Sequence, residues 1–254
     1  MRSWGFVGGG RATRILLEGF RRAGALPDKV VVSDTDTAAL ELLKGIHQGI
    51  ETTTDNRRAA SQELVFLSVP FTVMEEVLNQ IKGALKEKAI VISLAPKYRI
   101  SQLSELLGGF SRIARMIPNA PSIINRGFNP VHIPEQLSKE RENIVSLLRH
   151  LGDVVEVEEK KLEAFVIASA ALPTYFWFQL MEVEKIAQQL GLSEDGAHEA
   201  VYKATSGALE LLYTSGMDRD YVLDLIPLKP LRHQEEQIKD ILRERLLRTY
   251  QKIR

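Results

Sequence analysis

The N-terminal residues contain a glycine-rich turn of the kind that binds phosphate groups. Gly8, Gly9 and Gly10 end a short apolar run, and Arg11 and Ala12 open an amphipathic stretch. Gly8 permits a tight turn, and Gly10 lets backbone amides approach a pyrophosphate at the positive end of the helix. This context predicts a dinucleotide-binding site. The alternative interpretation is a strand-to-helix turn that holds no ligand.

Charged residues near this turn bear on the choice of ligand. Arg11 and Arg14 would oppose the helix macrodipole by about 0.3–1 kcal/mol each, which an anion bound there would offset. Asp34 follows a second apolar run, where a dinucleotide-binding domain places the acid that accepts hydrogen bonds from the adenosine ribose. Its charge would repel the extra phosphate of NADP, so NAD is favoured over NADP. Alternatively, Asp34 or Asp36 caps the next helix.

The elements that must position these groups follow an alternating pattern. Short β-rich runs alternate with amphipathic stretches up to residue 157, which predicts a doubly wound parallel sheet. The predicted strands are Trp4–Val7, Val30–Ser33, Ile50–Thr53, Leu64–Ser68, Ala89–Ser93, Ile113–Ile117, Gly127–Ile133 and Val154–Val157. Only helical periodicity follows. We therefore expect an α/β fold, with a Rossmann-type NAD(P)-binding domain over residues 1–157 and an all-α dimerisation and substrate domain over residues 158–254.

Several helix boundaries can be predicted from capping residues. Thr72 and Glu75 have the spacing of a capping box, and Pro134 favours the start of a helix that runs to about residue 150. Pro173 should kink or restart the long helical stretch that follows residue 158. Gly191 should end that stretch, since glycine is the usual residue just past a helix.

Composition excludes several classes of function. Thirty-three basic and thirty-three acidic residues cancel, so no strong field favours nucleic acid or an anionic membrane. The chain has no cysteine, which excludes disulfides and thiolate chemistry and fits a cytoplasmic protein. No histidine cluster has metal-ligand spacing, so we expect no metal. Residues 164–181 are uncharged, but they include polar residues and a proline, which favours a helix buried at a subunit interface over a membrane span.

The order of several motifs resembles the pyrroline-5-carboxylate reductase family. The most specific is Arg115–Pro121, which is similar to that family's Arg-x-Met-Pro-Asn-Thr-Pro. The others, in chain order, are Gly5–Gly10, Val65–Pro70, Ile90–Ala95, Leu190–Leu192 and Thr205–Ala208. The resemblance extends from residue 4 to about residue 213.

The resemblance implies roles for particular residues. Asn56 should lie near the adenosine ribose, Val69 and Pro70 should line the cofactor, and Ala95 should lie beside the nicotinamide. Asn119 should border the reacting ring. The family also implies at least a homodimer, in which the C-terminal helices of two subunits interleave.

The sequence departs from the family where the substrate should bind. The Val69–Pro70 turn lacks the family's lysine, and Ala170–Thr174 replaces Gly-Ser-Gly-Pro-Ala. The family's Pro-Gly-Gly-Thr-Thr loop, which holds the substrate carboxylate with amides and hydroxyls, has become Pro227–Leu231. Proline has no amide donor and leucine no hydroxyl. The cofactor half therefore matches the family, and the substrate half does not.

Few side chains are available for the reaction itself. Lys97 or Lys229 could bind a substrate carboxylate, and Lys97, Tyr98, Tyr175 or His233 could donate a proton to a ketone. Reduction of an iminium needs little beyond alignment, because the substrate nitrogen already carries its proton. We therefore predict an NAD(P)-dependent oxidoreductase that reduces a C=N, or else C=O, bond of a small carboxylated substrate, with proline biosynthesis as the family's default role.

Two alternatives remain open from the sequence. Reductases that pass hydride between NADP and a deazaflavin share the early motifs, and their Val-Pro turn is closer to Val69–Pro70. The chain could also be a dinucleotide-binding sensor or partner subunit that has lost catalysis.

Overall fold

Eight strands form one twisted sheet in the computed structural model, which describes residues Met1–Arg254. They are β1 (Ser3–Val7), β2 (Lys29–Ser33), β3 (Ile50–Thr53), β4 (Leu64–Leu67), β5 (Ile90–Ser93), β6 (Ile113–Met116), β7 (Gly127–His132) and β8 (Gly152–Glu156). Their order in the sheet is β3-β2-β1-β4-β5-β6-β7-β8. The pairing is parallel except between β6 and β7. The α/β class expected from the sequence is confirmed.

The central strands are apolar because both faces of the sheet are covered. Every residue of β4 and β5 is buried, so these runs do not alternate between polar and apolar residues. On one face, aromatic rings pack closely: Phe6 stacks on Phe66 at 4.7 Å, and Trp4 meets Phe20 edge-on at 4.8 Å. Burial on both faces fixes the register of these strands, and with it the edge where they end.

The sheet belongs to the larger of two compact units. This unit comprises residues Met1–Ala171 together with Thr249–Arg254. Its helices are α1 (Arg11–Arg22), α2 (Thr37–Ile46), α3 (Asn56–Ala60), α4 (Met74–Ile81), α5 (Ile100–Leu106), α6 (Arg141–Arg149) and α7 (Leu162–Phe165). The division expected at residue 157 coincides with the end of the last strand, whereas this unit continues through α7 and a π-helical turn at Val166–Ala170.

Two expected helix starts differ from those in the structure. The Thr72–Glu75 capping box is wrong: α4 begins at Met74 after a hydrogen-bonded turn, in which the Val73 amide donates to the Pro70 carbonyl, and no side chain caps it. The helix expected from Pro134 is divided, because a short 3-10 helix at Glu135–Leu137 precedes α6. Local spacing predicted a start in each case, but packing of the apolar face decides which residues become helical.

The second unit, Leu172–Arg248, is entirely helical. It contains α8 (Pro173–Gln189), α9 (Glu194–Tyr213), α10 (Arg219–Asp224) and most of α11 (Glu235–Ile253). Pro173 begins α8 as predicted, and Gly191 follows its end with φ of +100°. Ser193 caps α9 by accepting a hydrogen bond from the Gly196 amide.

The apolar side chains of α8 are largely uncovered within the chain. Phe178 and Met181 are 65% and 60% exposed, and Leu190, directly after the helix, is 81% exposed. By length and composition alone, the helical stretch Glu159–Gln189 is apolar enough to cross a membrane. A single such helix is weak evidence for a span. The single chain therefore leaves much of the apolar surface of residues 164–181 exposed to solvent.

Candidate active site at the carboxyl edge of the sheet

A cleft of about 560 Å³ lies where β1, β2 and β4 end. Six of the predicted cofactor residues line it: Gly8, Gly10, Asp34, Asn56, Val69 and Pro70. The reversal of strand order between β1 and β4 places it at the topological switch point of the sheet, where open α/β folds bind their ligands.

The three glycines of the turn serve different purposes. Gly8 has φ of +104°, and a side chain there would meet the Ser68 carbonyl at 2.8 Å, so the backbone itself requires glycine. At Gly9, a Cβ would come within 3.2 Å of Leu43. At Gly10, no protein atom lies within 4 Å of the position a Cβ would take. The fold gives no reason for glycine at position 10, whereas a bound phosphate would.

Asp34 is held against the glycine turn. Its Oδ2 accepts a hydrogen bond from the Gly9 amide at 2.6 Å, and its Oδ1 accepts from the Asp36 amide at 2.9 Å. The helix-capping role considered for this pair falls to Asp36, whose side chain accepts from Ala38 and Ala39. Asp34 is therefore free of the cap and faces the cleft.

The charge of the cleft lining is acidic. Asp34, Asp36 and Glu76 contribute carboxylates, and no lysine or arginine lines the cleft. Arg11 is exposed at the first residue of α1, outside this lining. Such a cleft is matched to uncharged ribose hydroxyls better than to a 2′-phosphate.

A chain of polar side chains forms the floor of the cleft. Ser33 donates to the Asn56 amide oxygen at 2.9 Å, and the Asn56 amide nitrogen donates to Gln80 at 2.8 Å. Gln80 in turn donates to Glu76 at 3.2 Å. Neither Gln80 nor Glu76 was identified from the sequence, because only the packing of α3 against α4 brings them to Asn56.

Thr13 occupies the third position of the glycine fingerprint, where a smaller residue is usual. Its side chain is fully buried, and its hydroxyl lies 2.5 Å from the Gly8 carbonyl oxygen and 2.5 Å from the Ser68 hydroxyl. Ser68 also donates to Gly8 at 2.9 Å. Threonine is accommodated here because its polar atom has partners. The departure at this position therefore leaves the turn intact.

The other predicted residues lie away from the cleft. Ala12 packs against the core, and Ala95, two residues after β5, is 5% exposed. The Asn119 amide oxygen accepts from the Phe128 amide and the Ser122 hydroxyl, each at 3.2 Å. Lys97 lines a different pocket of the same unit. Tyr175 and Lys229 belong to the helical unit.

A buried ion-pair cluster holds the segment that follows β5. Arg115, 1% exposed, donates to the carboxylates of Glu163 and Glu159 and, at 3.5 Å, to the Ala95 carbonyl. Glu163 also accepts from the Lys97 amide at 3.4 Å. Both glutamates were missed in the sequence, since nothing local indicates a pairing across more than forty residues.

The second glutamate holds the other end of the same segment. Glu159 accepts from the Ile100 amide at 2.6 Å, at the first residue of α5. Two carboxylates thus hold the segment between β5 and α5, one at Lys97 in its middle and the other where α5 begins. This arrangement fixes the backbone where Ala95 should meet a nicotinamide.

The chain is similar to known proteins of two descriptions, which cover different lengths of it. Residues 3–97 match the family model described as NADP oxidoreductase, coenzyme F420-dependent. Pyrroline-5-carboxylate reductases match much more of it. The protein from Corynebacterium melassecola is 27% identical over 84% of this chain and 80% of its own length, and that from Vibrio alginolyticus is 28% identical over 83% and 78%.

Solved structures point in the same direction. The reductase from Coxiella burnetii superposes with a TM-score of 0.72 at 27% identity, covering 99% of this chain and 94% of its own. The chain is thus similar to pyrroline-5-carboxylate reductases over most of its length. The Plasmodium falciparum reductase, with NADP bound, shares the fold with a TM-score of 0.84 at 19% identity, covering 98% and 96%. Because its relatives extend well past residue 97, the deazaflavin alternative is not favoured.

Gly10 provides the first test of the site. We expect Gly10→Val to abolish NADH binding in calorimetry, because the valine side chain would take the space open to a pyrophosphate. The circular dichroism spectrum should remain native, since a Cβ there meets no protein atom. Gly49→Val is a matched control, because that glycine is equally unobstructed and lies outside the cleft lining. A folded Gly10→Val protein with unchanged affinity would contradict the assignment.

Proposed function

We propose that this chain is a cytoplasmic, homodimeric reductase that transfers hydride from a nicotinamide dinucleotide to the C=N bond of a small carboxylated substrate. The observation that carries the proposal is the open space at Gly10, at the N-terminus of α1 and beside Asp34. The pyrroline-5-carboxylate reductases that it resembles are NAD(P)-dependent oxidoreductases that act on CH–NH donors. A C=O bond is the second choice, because its reduction also needs a proton donor.

The residues of the glycine turn would bind the pyrophosphate, and Asp34 would bind the adenosine ribose. The Ser33–Asn56–Gln80 chain would hold the wall beside that ribose. The dinucleotide supplies the hydride when bound. Ala95, held by Arg115, and Asn119, held by Phe128, would border its nicotinamide end. Rigid support of this kind favours catalysis through alignment of the reacting atoms.

Three side chains are proposed for the substrate. Lys97 and Lys229 would each bind an acid group, and both are exposed and able to turn toward a ligand. Tyr175 would donate a proton if the substrate is a ketone. Burial raises the pKa of the Tyr175 phenol, so this group would be protonated but a weaker acid than an ordinary tyrosine.

Cofactor preference follows from the acidic lining of the cleft. We expect the wild-type protein to bind NADH more tightly than NADPH, because Asp34 would face the 2′-phosphate. Asp34→Ser should reduce the ratio of the NADPH dissociation constant to the NADH dissociation constant by about tenfold, or about 1.4 kcal/mol. Calorimetric titration with both cofactors measures it. Asp55→Ser is the control: Asp55 caps α3 outside the cleft lining, and serine is an equally good cap, so this change should not alter the ratio of the two dissociation constants. A wild type that prefers NADPH would refute the role of Asp34.

The uncovered face of α8 supports a homodimer. Phe178→Asp places a charge on a side chain that is 65% exposed in the single chain, so folding of the subunit should tolerate it. If a second subunit covers this face, the charge would be buried at a cost of several kcal/mol, and light scattering should show monomers or aggregates. Gln188→Asp, exposed on the same helix, should leave the dimer intact. A monomeric wild type would disprove the interface.

The altered Pro227–Leu231 loop leads to a prediction about substrate. Loss of two or three charge-assisted hydrogen bonds, at about 1.5–3 kcal/mol each, should make pyrroline-5-carboxylate a poor substrate. Lys229→Ala should reduce turnover of whichever carboxylated imine proves best, whereas Lys44→Ala, on α2, should not. Steady-state assays with a panel of cyclic imines measure both effects. A kcat/KM for pyrroline-5-carboxylate of about 10⁴ M⁻¹s⁻¹ or more would contradict the prediction.

A further inference from the structure

A second pocket in the sheet-containing unit is lined mainly by cations. Its volume is about 290 Å³. Five of its seven lining residues are basic, and the other two are Glu163 and Tyr250: the basic residues are Lys97, Arg99, Lys160, Lys161 and Arg254. In a chain whose charges cancel overall, so many cations around one cavity create a local field that attracts anions.

The carboxylates near this pocket do not neutralise it. Glu163 is already paired with the buried Arg115, and Glu158 is shared between Lys160 and Lys161 at 2.7 Å each. Lys97, Arg99 and Arg254 take part in no ion pair. Three cations thus remain available to an anionic ligand at one pocket.

Lys97 occupies a position where its backbone is strained. Its φ is +81°, in the left-handed region that favours glycine, and Asn125 is the one other non-glycine residue with positive φ. Asparagine tolerates this conformation, whereas lysine gains nothing from it locally. Strained residues of this kind concentrate where a ligand is bound. The strain therefore marks Lys97 as a candidate ligand-binding residue.

The surroundings of Lys97 connect the pocket with the nicotinamide end of the site. The Lys97 amide is held by Glu163, and Ala95, two residues earlier, is held by Arg115. The Lys97 ammonium lies 4.9 Å from the centre of the Phe71 ring, and Phe71 directly follows Pro70 of the cofactor cleft. The pocket and the predicted nicotinamide position thus share one segment of backbone.

From these contacts we infer that the basic pocket binds an acid group of the substrate, and that the substrate carries at least two acid groups. The inference rests on the proposed reductase function. A single carboxylate would be matched by one or two cations, and the pocket offers three that are unpaired. Lys97 and Arg99 are the residues that determine this specificity: Lys97 contributes a point charge, and Arg99 a planar group able to bind a carboxylate through two hydrogen bonds.

Matched planar acids test this inference without any turnover. Pyrrole-2-carboxylate and pyrrole-2,5-dicarboxylate share a ring that resembles a cyclic imine and differ by one acid group. Each is titrated calorimetrically into the full-length protein saturated with NADH, at constant ionic strength. We expect the dicarboxylate to bind at least about tenfold more tightly. Equal affinities, or no binding of either acid, would overturn the inference.

Variants then assign the effect to the pocket. Arg99→Gln should remove the advantage of the dicarboxylate, while Arg126→Gln, an exposed and unpaired arginine outside the pocket, should preserve it. Lys97→Gly should weaken dicarboxylate binding yet raise the melting temperature, because glycine relieves the left-handed strain. An unchanged preference in Arg99→Gln would overturn the assignment even if Lys97→Gly fails to fold.

The failure of the proposed function would be distinguishable from the failure of this inference. Dicarboxylate binding that depends on Arg99, without reduction of any imine or ketone, would contradict the reductase and leave the pocket's anion binding established. Turnover of monocarboxylated imines with no dicarboxylate preference would establish the reductase and refute the second acid group.

Discussion

The ion pairs of Arg115 are the interaction on which the active edge of the sheet depends. A guanidinium that is 1% exposed cannot be stabilised by water, so its charge must be balanced by Glu159 and Glu163. Both glutamates lie beyond the last strand. Glu163 also accepts a hydrogen bond from the Lys97 amide, and Glu159 accepts one from the Ile100 amide. One buried charge therefore joins β6, the β5–α5 segment and the helical residues that lead out of the sheet. Removing Arg115, or removing both glutamates, would leave an unpaired charge in the interior.

The strands could be predicted because their sequences are constrained on both faces. Runs such as Leu64–Leu67 and Ile90–Ser93 are apolar throughout, and predicted and observed limits differ by a residue or two. The glycine turn was equally clear, since its residues are adjacent in sequence. The helix start at Thr72 was not predictable from spacing alone, because an isolated capping pattern contributes little compared with the burial of Met74 and Leu78.

The parts of the site that escaped prediction depend on contacts between distant residues. Gln80 accepts a hydrogen bond from Asn56, and Glu163 accepts hydrogen bonds from Arg115 and Lys97. The sequence around Gln80 or Glu163 does not indicate these partners. The basic pocket was missed for the same reason. In the sequence, Lys97 resembles a solvated surface lysine. Only its positive φ and its proximity to Lys160 and Lys161 distinguish it. Sequence reasoning therefore reached the cofactor half of the site more readily than the substrate half.

The hydroxyl pair of Thr13 and Ser68 has a consequence for how such chains are recognised. Thr13 is on α1 and Ser68 follows β4, yet their hydroxyls meet, and both lie within hydrogen-bond distance of the Gly8 carbonyl oxygen. The two positions should therefore vary together among relatives, as a threonine with a serine or as two small apolar residues. A search pattern that insists on glycine or alanine at the third fingerprint position would discard a chain with threonine there. One that reads both positions jointly would retain it.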